Sequence, residues 1–293
     1  MQLKYIYLQL LGLIMLGGLY SCSKSSGSGY GNNTPPPVTP PVTSPTTSFQ
    51  IKNDSHFGSV ITDGSGNTLY FFSLDANGNS ACTSGCLPVW PVVYSASPTF
   101  GTGLNAGDFS TITRTDGSKQ TTYKGWPLYT YSGDGMAGNI NGDGVDAVWF
   151  VAKPDYTVML AVTQLVGDDG VKYDSTYKAG TGPTLYMTDD RGVTLYSFMV
   201  DKSGKNNYTL SDFSNDSFWP IVQLSSVQNV PSFLDKSAFS SITVFGKPQL
   251  TYKGWPVYRF GPDALTRGNT KGVSITSPGT WPVMNQFSKV APL

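Results

Sequence analysis

Four times the chain writes Tyr, any residue, an aromatic, two residues of any kind, then Asp. The copies carry Tyr70, Phe72 and Asp75; Tyr129, Tyr131 and Asp134; Tyr196, Phe198 and Asp201; and Tyr258, Phe260 and Asp263. Rings two residues apart lie on one face of a strand, and each Asp falls where a strand would turn. A chain with this periodicity is a repeat of similar β-units, and whatever distinguishes its function lies in what differs between them. The recurrent Asp reads as a turn former whose carboxylate accepts hydrogen bonds from nearby backbone N–H groups.

The halves align. Thr-Tyr-Lys-Gly-Trp-Pro-Leu-Tyr at 122–129 returns as Thr-Tyr-Lys-Gly-Trp-Pro-Val-Tyr at 251–258, and Trp90-Pro91 returns as Trp219-Pro220. Each half reads as a hairpin, a loop ending in Trp-Pro, a second hairpin, a Gly/Asn/Asp loop and a closing strand, with little helical periodicity. The expected class is all-β, antiparallel hairpin repeats forming two homologous modules. A single propeller-like radial array of four hairpin units is the alternative. The boundaries expected are a leader at 1–21, a tether at 22–48, module 1 at 49–155, a connecting segment at 156–182 and module 2 at 183–293.

The first 21 residues place Lys4 before a short, Gly-interrupted apolar stretch, a processing signal rather than a membrane span. It runs into Leu19-Tyr20-Ser21-Cys22, which resembles a bacterial lipobox and implies lipid attachment at Cys22. The Pro-, Ser-, Gly- and Thr-rich residues that follow form no core and read as a tether with a reach of up to ~80 Å. Ser23 after the lipid-bearing Cys, by resemblance to sorted lipoproteins, implies delivery to the outer membrane, and the absence of an acidic run favours its periplasmic side. With 19 Lys and Arg against 19 Asp and Glu, no nucleic-acid partner is implied. The expected partners are the membrane, through the anchor, and a polysaccharide or envelope protein.

The Tyr-x-aromatic-x-x-Asp copies, the Tyr-Lys-Gly-x-Pro-Leu-Tyr run and the Cys82-x-x-x-Cys86 segment before Trp90-Pro91 resemble the bacterial secreted-repeat lipoproteins of unknown function. The resemblance implies a fold and an address without a mechanism. The second half departs from it by lacking the cysteine pair, with Asn207, Tyr208 and Phe213 in that region.

Four features could carry chemistry. Cys82 and Cys86, an even pair in an oxidising compartment, are read as a short-loop disulfide; a redox or soft-metal pair is the alternative. Asp134, Asn139, Asn141, Asp143 and Asp146 sit in an oxygen-rich loop that makes a candidate calcium site, competing with a plain cluster of Asx and Gly turns. If 123–131 is one straight strand, Trp126 stands on the wetter face beside Lys124, and Trp255 likewise beside Lys253, as glycan-stacking contacts. If the Gly-Trp-Pro step folds back, both Trp are buried. His56, the only histidine, has no nucleophile elbow to serve. The reading is thus a non-enzymatic envelope lipoprotein that binds or braces, without a resident cofactor unless the loop holds calcium. A redox or metal-handling accessory built on Cys82 and Cys86 is the alternative.

Overall fold

The fold is that of a computed structural model describing residues 48–293; the leader, Cys22 and the tether up to residue 47 lie outside those residues. The described residues fall within one compact unit. The chain opens on β1 (Ser48–Asp54), paired antiparallel with β2 (Gly58–Asp63), and continues through β3 (Tyr70–Phe72), β4 (Thr99–Phe100), β5 (Phe109–Thr113), β6 (Lys119–Tyr123), β7 (Trp126–Pro127) and β8 (Trp149–Val151). Then come β9 (Val158–Val166), β10 (Lys172–Tyr173), β11 (Pro183–Asp189), β12 (Phe239–Val244), β13 (Lys247–Tyr252) and β14 (Trp255–Pro256).

These form small sheets: β2-β1-β4, β5-β6-β7, β3-β8, β10-β9-β11 and β12-β13-β14. Among the described residues there is no α-helix, only single 3-10 turns. The class is all-β, and neither a barrel nor a propeller closes. A propeller blade needs four strands in register, whereas no sheet here exceeds three.

One expectation changes and one open alternative is decided. The segment 156–182, expected as a connector, supplies β9 and β10. β9 pairs with β11 as β1 pairs with β2: Leu160 faces Met187 where Ile51 faces Ile61. The second module therefore begins at Val158, and its first hairpin carries a long insertion at 167–182. Val158 to Ala161 are all buried, so this strand is covered on both faces and shows no alternation.

The alternative decided is that of parity, in favour of the fold-back. Lys124 and Gly125 both take left-handed backbone angles (φ 49° and 80°), as do Lys253 and Gly254 (φ 49° and 84°). Two such residues in a row make the two-residue turn that matches strand twist. The run 123–131 is therefore a hairpin, not a straight strand, and Trp126 pairs directly with Tyr123 on the same face.

One core cluster draws on both modules, from Phe49, Phe71 and Trp126 to Tyr186, Trp219 and Trp281. Arg267 adds a polar clamp. It leaves the 264–270 loop of module 2 and donates to the carbonyls of Ala76 (2.9 Å) and Lys124 (3.1 Å) in module 1. Its guanidinium lies 4.5 Å from the Trp126 ring centroid.

Candidate functional site

The repeated motif builds the centre of each module from four separated segments. Tyr70 bridges Tyr129, Val151 lies beyond Tyr70 and Val92 beyond Tyr129; in module 2 Tyr196, Tyr258, Val283 and Ile221 repeat that order. The side chains on this frame stack. In module 1, Phe72 lies on Trp149 (3.9 Å, 7°), Trp149 on Trp90 (3.8 Å, 4°) and Trp90 on Tyr131 (4.3 Å, 29°). In module 2, Phe198, Trp281, Trp219 and Phe260 repeat the ladder at 4.1, 3.7 and 4.5 Å. The aromatic of each motif copy is thus one end of a four-ring stack whose middle is a Trp pair. Each favourable ring pair adds about 0.5–1.5 kcal/mol beyond its buried area.

The Tyr and Asp of the motif close the ladder reciprocally. Tyr70 donates to Asp134 (2.9 Å) and Tyr129 to Asp75 (2.7 Å). Likewise Tyr196 donates to Asp263 (2.6 Å) and Tyr258 to Asp201 (2.7 Å). Each Tyr therefore serves the Asp of the other copy in its module, while its ring sits edge-on to a ladder Trp, as in Tyr70–Trp90 at 5.4 Å. The expected backbone bonds are present too, from the N–H of Ala81, Asn141, Asn207 and Lys271. The Asp is more than a turn former, because a buried carboxylate needs every acceptor position served. Glycine completes the fit: a Cβ at Gly142 would come within 2.9 Å of both Trp90 and Tyr70, and one at Gly272 within 2.8 Å of both Trp219 and Tyr196.

Burial pushes the Asp75 carboxyl up to about 7, and Asp201 and Asp263 to about 6, with Asp134 raised as well. The fold therefore holds these protons more tightly than the unfolded chain does, so stability falls as pH rises from about 4 to about 7. Exposed turn carboxylates such as Asp116, Asp174 and Asp235, held low by hydrogen bonds to Ser118, Thr176 and Ser237, act oppositely below about pH 4. We expect Tm to peak near pH 4 and to fall by about 5–10 °C by pH 8. Differential scanning calorimetry across that range checks it, and Asp75→Asn should flatten the slope.

Residues 54–94 and 110–153 match the model of a family described as a secreted repeat of unknown function. The two matched stretches lie in module 1, which is thus similar to two copies of this repeat. Each matched stretch holds one Tyr-x-aromatic-x-x-Asp motif, so one ladder takes two repeats. Module 2 lies outside the matched residues and rebuilds the same ladder. No curated protein and no solved structure matches the chain. Among the described residues no helix is long and apolar enough to cross a membrane.

The other expected site residues of this repeat protein fall as follows. Trp126 and Trp255 are buried, at 1% and 6% exposure, which corrects the reading of them as a glycan platform. Their indole N–H groups donate to the carbonyls of Asp190 (3.1 Å) and Lys289 (2.8 Å). Lys124 reaches the Pro154 carbonyl and Asp190, and Lys253 the carbonyls of Gln286 and Ser288. These lysines tie hairpin turns to neighbouring backbone.

The oxygen-rich loop does not converge on one centre. Asp134 faces Tyr70, the Asn139 and Asn141 amides donate to the carbonyls of Asp134 and Gly133, and Asp143 accepts from the Val151 N–H (2.9 Å). Asp146 stands in a left-handed turn (φ 52°). Four of the five calcium candidates are thus committed to the fold, and no group of three or more His, Cys, Asp or Glu among the described residues is placed to hold a metal.

Cys82 and Cys86 are joined in a disulfide, Cα–Cα 5.4 Å. In this form they present no thiolate to a soft metal. Closing so short a loop stabilises by only about 2 kcal/mol on chain-entropy grounds.

Two features went unread in the sequence. One is the Trp149–Trp90 and Trp281–Trp219 pairs; the recurrence of Trp-Pro marked half of each. The other is a surface tip in module 2. Phe245, 58% exposed, occupies the first position of a two-residue hairpin turn at φ 45°, followed by Gly246. Phe213, also left-handed (φ 57°), meets it edge-on at 6.2 Å, and the Lys247 ammonium lies 3.7 Å from the Phe213 ring centroid. Module 1 has Asp116-Gly117 and Ser84 at the corresponding places.

Proposed function

We propose that this chain is a non-enzymatic binding protein of the cell envelope, anchored by lipid at Cys22 to the periplasmic face of the outer membrane. Its contact with an envelope polysaccharide is the Phe213–Phe245 tip of module 2. The exposed Phe245 carries this reading. A turn position with φ near 45° favours Asn, Asp or Gly, and a large side chain there costs of order 1 kcal/mol. A large apolar side chain at such a turn, left in water, is open to contact by a ligand. A flat ring beside a lysine donor and a polar rim of Ser211, Asp212 and Ser214 suits stacking on a sugar ring. The ladders support the non-enzymatic half of the reading: their carboxylates and phenols are buried and spent on one another, leaving no acid–base group facing solvent there.

Phe245→Asn tests it. We expect the variant to be more stable by about 0.5–1 kcal/mol, because Asn suits the turn, and to lose at least tenfold in binding to purified envelope polysaccharide. Unchanged binding in a pull-down against that material would remove the tip from the function.

A further inference from the structure

The two modules form an internal control for the disulfide, because one has it and the other builds the same loop without it. In module 1 the loop before the ladder Trp is held by Leu87 N–H to Ser84 O (3.2 Å), Val89 N–H to Cys86 O (3.1 Å) and Trp90 N–H to Cys86 O (2.8 Å). In module 2 the bonds recur 129 residues later: Asp216 to Phe213 (3.0 Å), Phe218 to Asn215 (3.1 Å) and Trp219 to Asn215 (3.2 Å). Ser84 and Phe213 share the left-handed conformation, at φ 45° and 57°. Asn215 stands where Cys86 does. It spans the loop by accepting from the Leu210 N–H (3.1 Å) and donating to the Tyr208 carbonyl (2.8 Å).

The remaining half of the cysteine loop is also held without the covalent bond. Arg114 donates to the Cys82 carbonyl (2.7 Å) and to Gln120 (2.7 Å), and the Ala81 N–H donates to Asp75 (2.6 Å). Hydrogen bonds thus hold this loop alongside the sulfur–sulfur bond. The two sulfurs are also unequal. Cys82 is 1% exposed, whereas Cys86 is partly open and reached across Thr83, Ser84 and Gly85, all exposed.

We infer that Cys82–Cys86 is a thiol–disulfide exchange site that takes two electrons from a dithiol, with Cys86 as the sulfur attacked. A thiolate of the dithiol bonds to Cys86 Sγ while the Cys82–Cys86 bond breaks, its electron pair leaving on Cys82, which then takes up a proton. The second thiolate of the donor attacks its own sulfur in the mixed disulfide and releases Cys86, which also takes up a proton. The donor leaves as a disulfide, and two electrons and two protons have passed to the pair. The substrate class is a protein dithiol with a sulfur accessible enough to reach a surface loop. This activity is independent of the polysaccharide reading and would stand if that reading fell.

The test uses the full chain with Cys22→Ser, so that the pair supplies the only thiols. Dithiothreitol is added without denaturant, thiols are counted by alkylation and mass spectrometry, and the ladder is followed by near-UV circular dichroism. We expect both thiols to be alkylated within minutes, the Trp signal to persist and Tm to fall by no more than about 8 °C. The double variant Cys82→Ser, Cys86→Asn, which copies module 2 at the bridging position, should show the same modest fall. With a chromogenic aromatic disulfide as probe, Cys86 in Cys82→Ser should react at least tenfold faster than Cys82 in Cys86→Ser. A disulfide that yields only on unfolding, or a reduced protein that loses its near-UV signal, would overturn the proposal. Equal reactivity of the two single thiols would overturn the assignment of Cys86.

Discussion

Trp281→Ala should cost about 3–5 kcal/mol and lower Tm by about 10–20 °C, the largest effect expected of any single substitution in this chain. Trp281 is 2% exposed and lies between Trp219 at 3.7 Å and Phe198 at 4.1 Å, with Tyr258 and Tyr208 edge-on at 5.3 and 5.0 Å. Truncation removes the ring and leaves a cavity that four rigid aromatics cannot collapse to fill, because each is held elsewhere by its own contacts. Tyr258 is pinned through its hydroxyl to Asp201, so the loss also loosens a buried acid pair. Trp281→Phe keeps a ring in the stack and should cost less than half as much. Chemical denaturation of both variants settles the matter; a loss under 1 kcal/mol for Trp281→Ala would show that the ladder is not the core of the module.

Arg267→Ala should destabilise by about 3 kcal/mol and separate the modules' contacts where the ladder variant does not. The side chain supplies donors to the carbonyls of Ala76, Lys124 and Arg191 and covers the Trp126 face. Removal leaves those acceptors short of a partner and uncovers an indole, and each term is of order 1 kcal/mol. Burial already holds the guanidinium down to about 10, against the opposing pull of Asp75 and Asp189, so the site keeps a charge at a cost the contacts must exceed. Arg267→Lys should recover less than half of the loss, since an ammonium cannot reach several carbonyls while lying flat on a ring. A second readout is specific to the charge: Asp75, which Arg267 helps to keep ionised, should titrate above about 7 in the Ala variant, measurable by carboxyl NMR. Stability within 1 kcal/mol of the parent would dismiss the clamp.

The duplication, the β class and the hairpins were legible in the sequence because each rests on local signals. Turn residues such as Asp63 and Asp116-Gly117 and the alternation around Tyr70 and Tyr129 act over a few residues, and runs at 122–129 and 251–258 that differ only at Leu128 and Val257 announce the copy. The parity of Trp126 stayed open between a straight strand and a fold-back, because Lys124 gives no sign that it takes a left-handed angle; only Gly125 did. The strand at Val158–Val166 was missed for a different reason. Its partner β11 lies beyond an insertion rich in Gly, Asp, Thr and Ser that reads as a linker, although the apolar run itself was there to be read.

By itself the sequence determined that the chain would be built of paired β-hairpin units with a Tyr, an aromatic and an Asp at fixed spacing in each. Only the tertiary structure decided what those residues do. Tyr70 finds Asp134, 64 residues away, and Tyr129 finds Asp75, 54 residues away. A motif spacing records which side chains share a face, but a hydrogen bond between copies depends on how the two strands pair. The same holds at Cys82–Cys86: the sequence showed two cysteines in reach of each other, and only the folded second module showed a matching loop bridged by Asn215 instead.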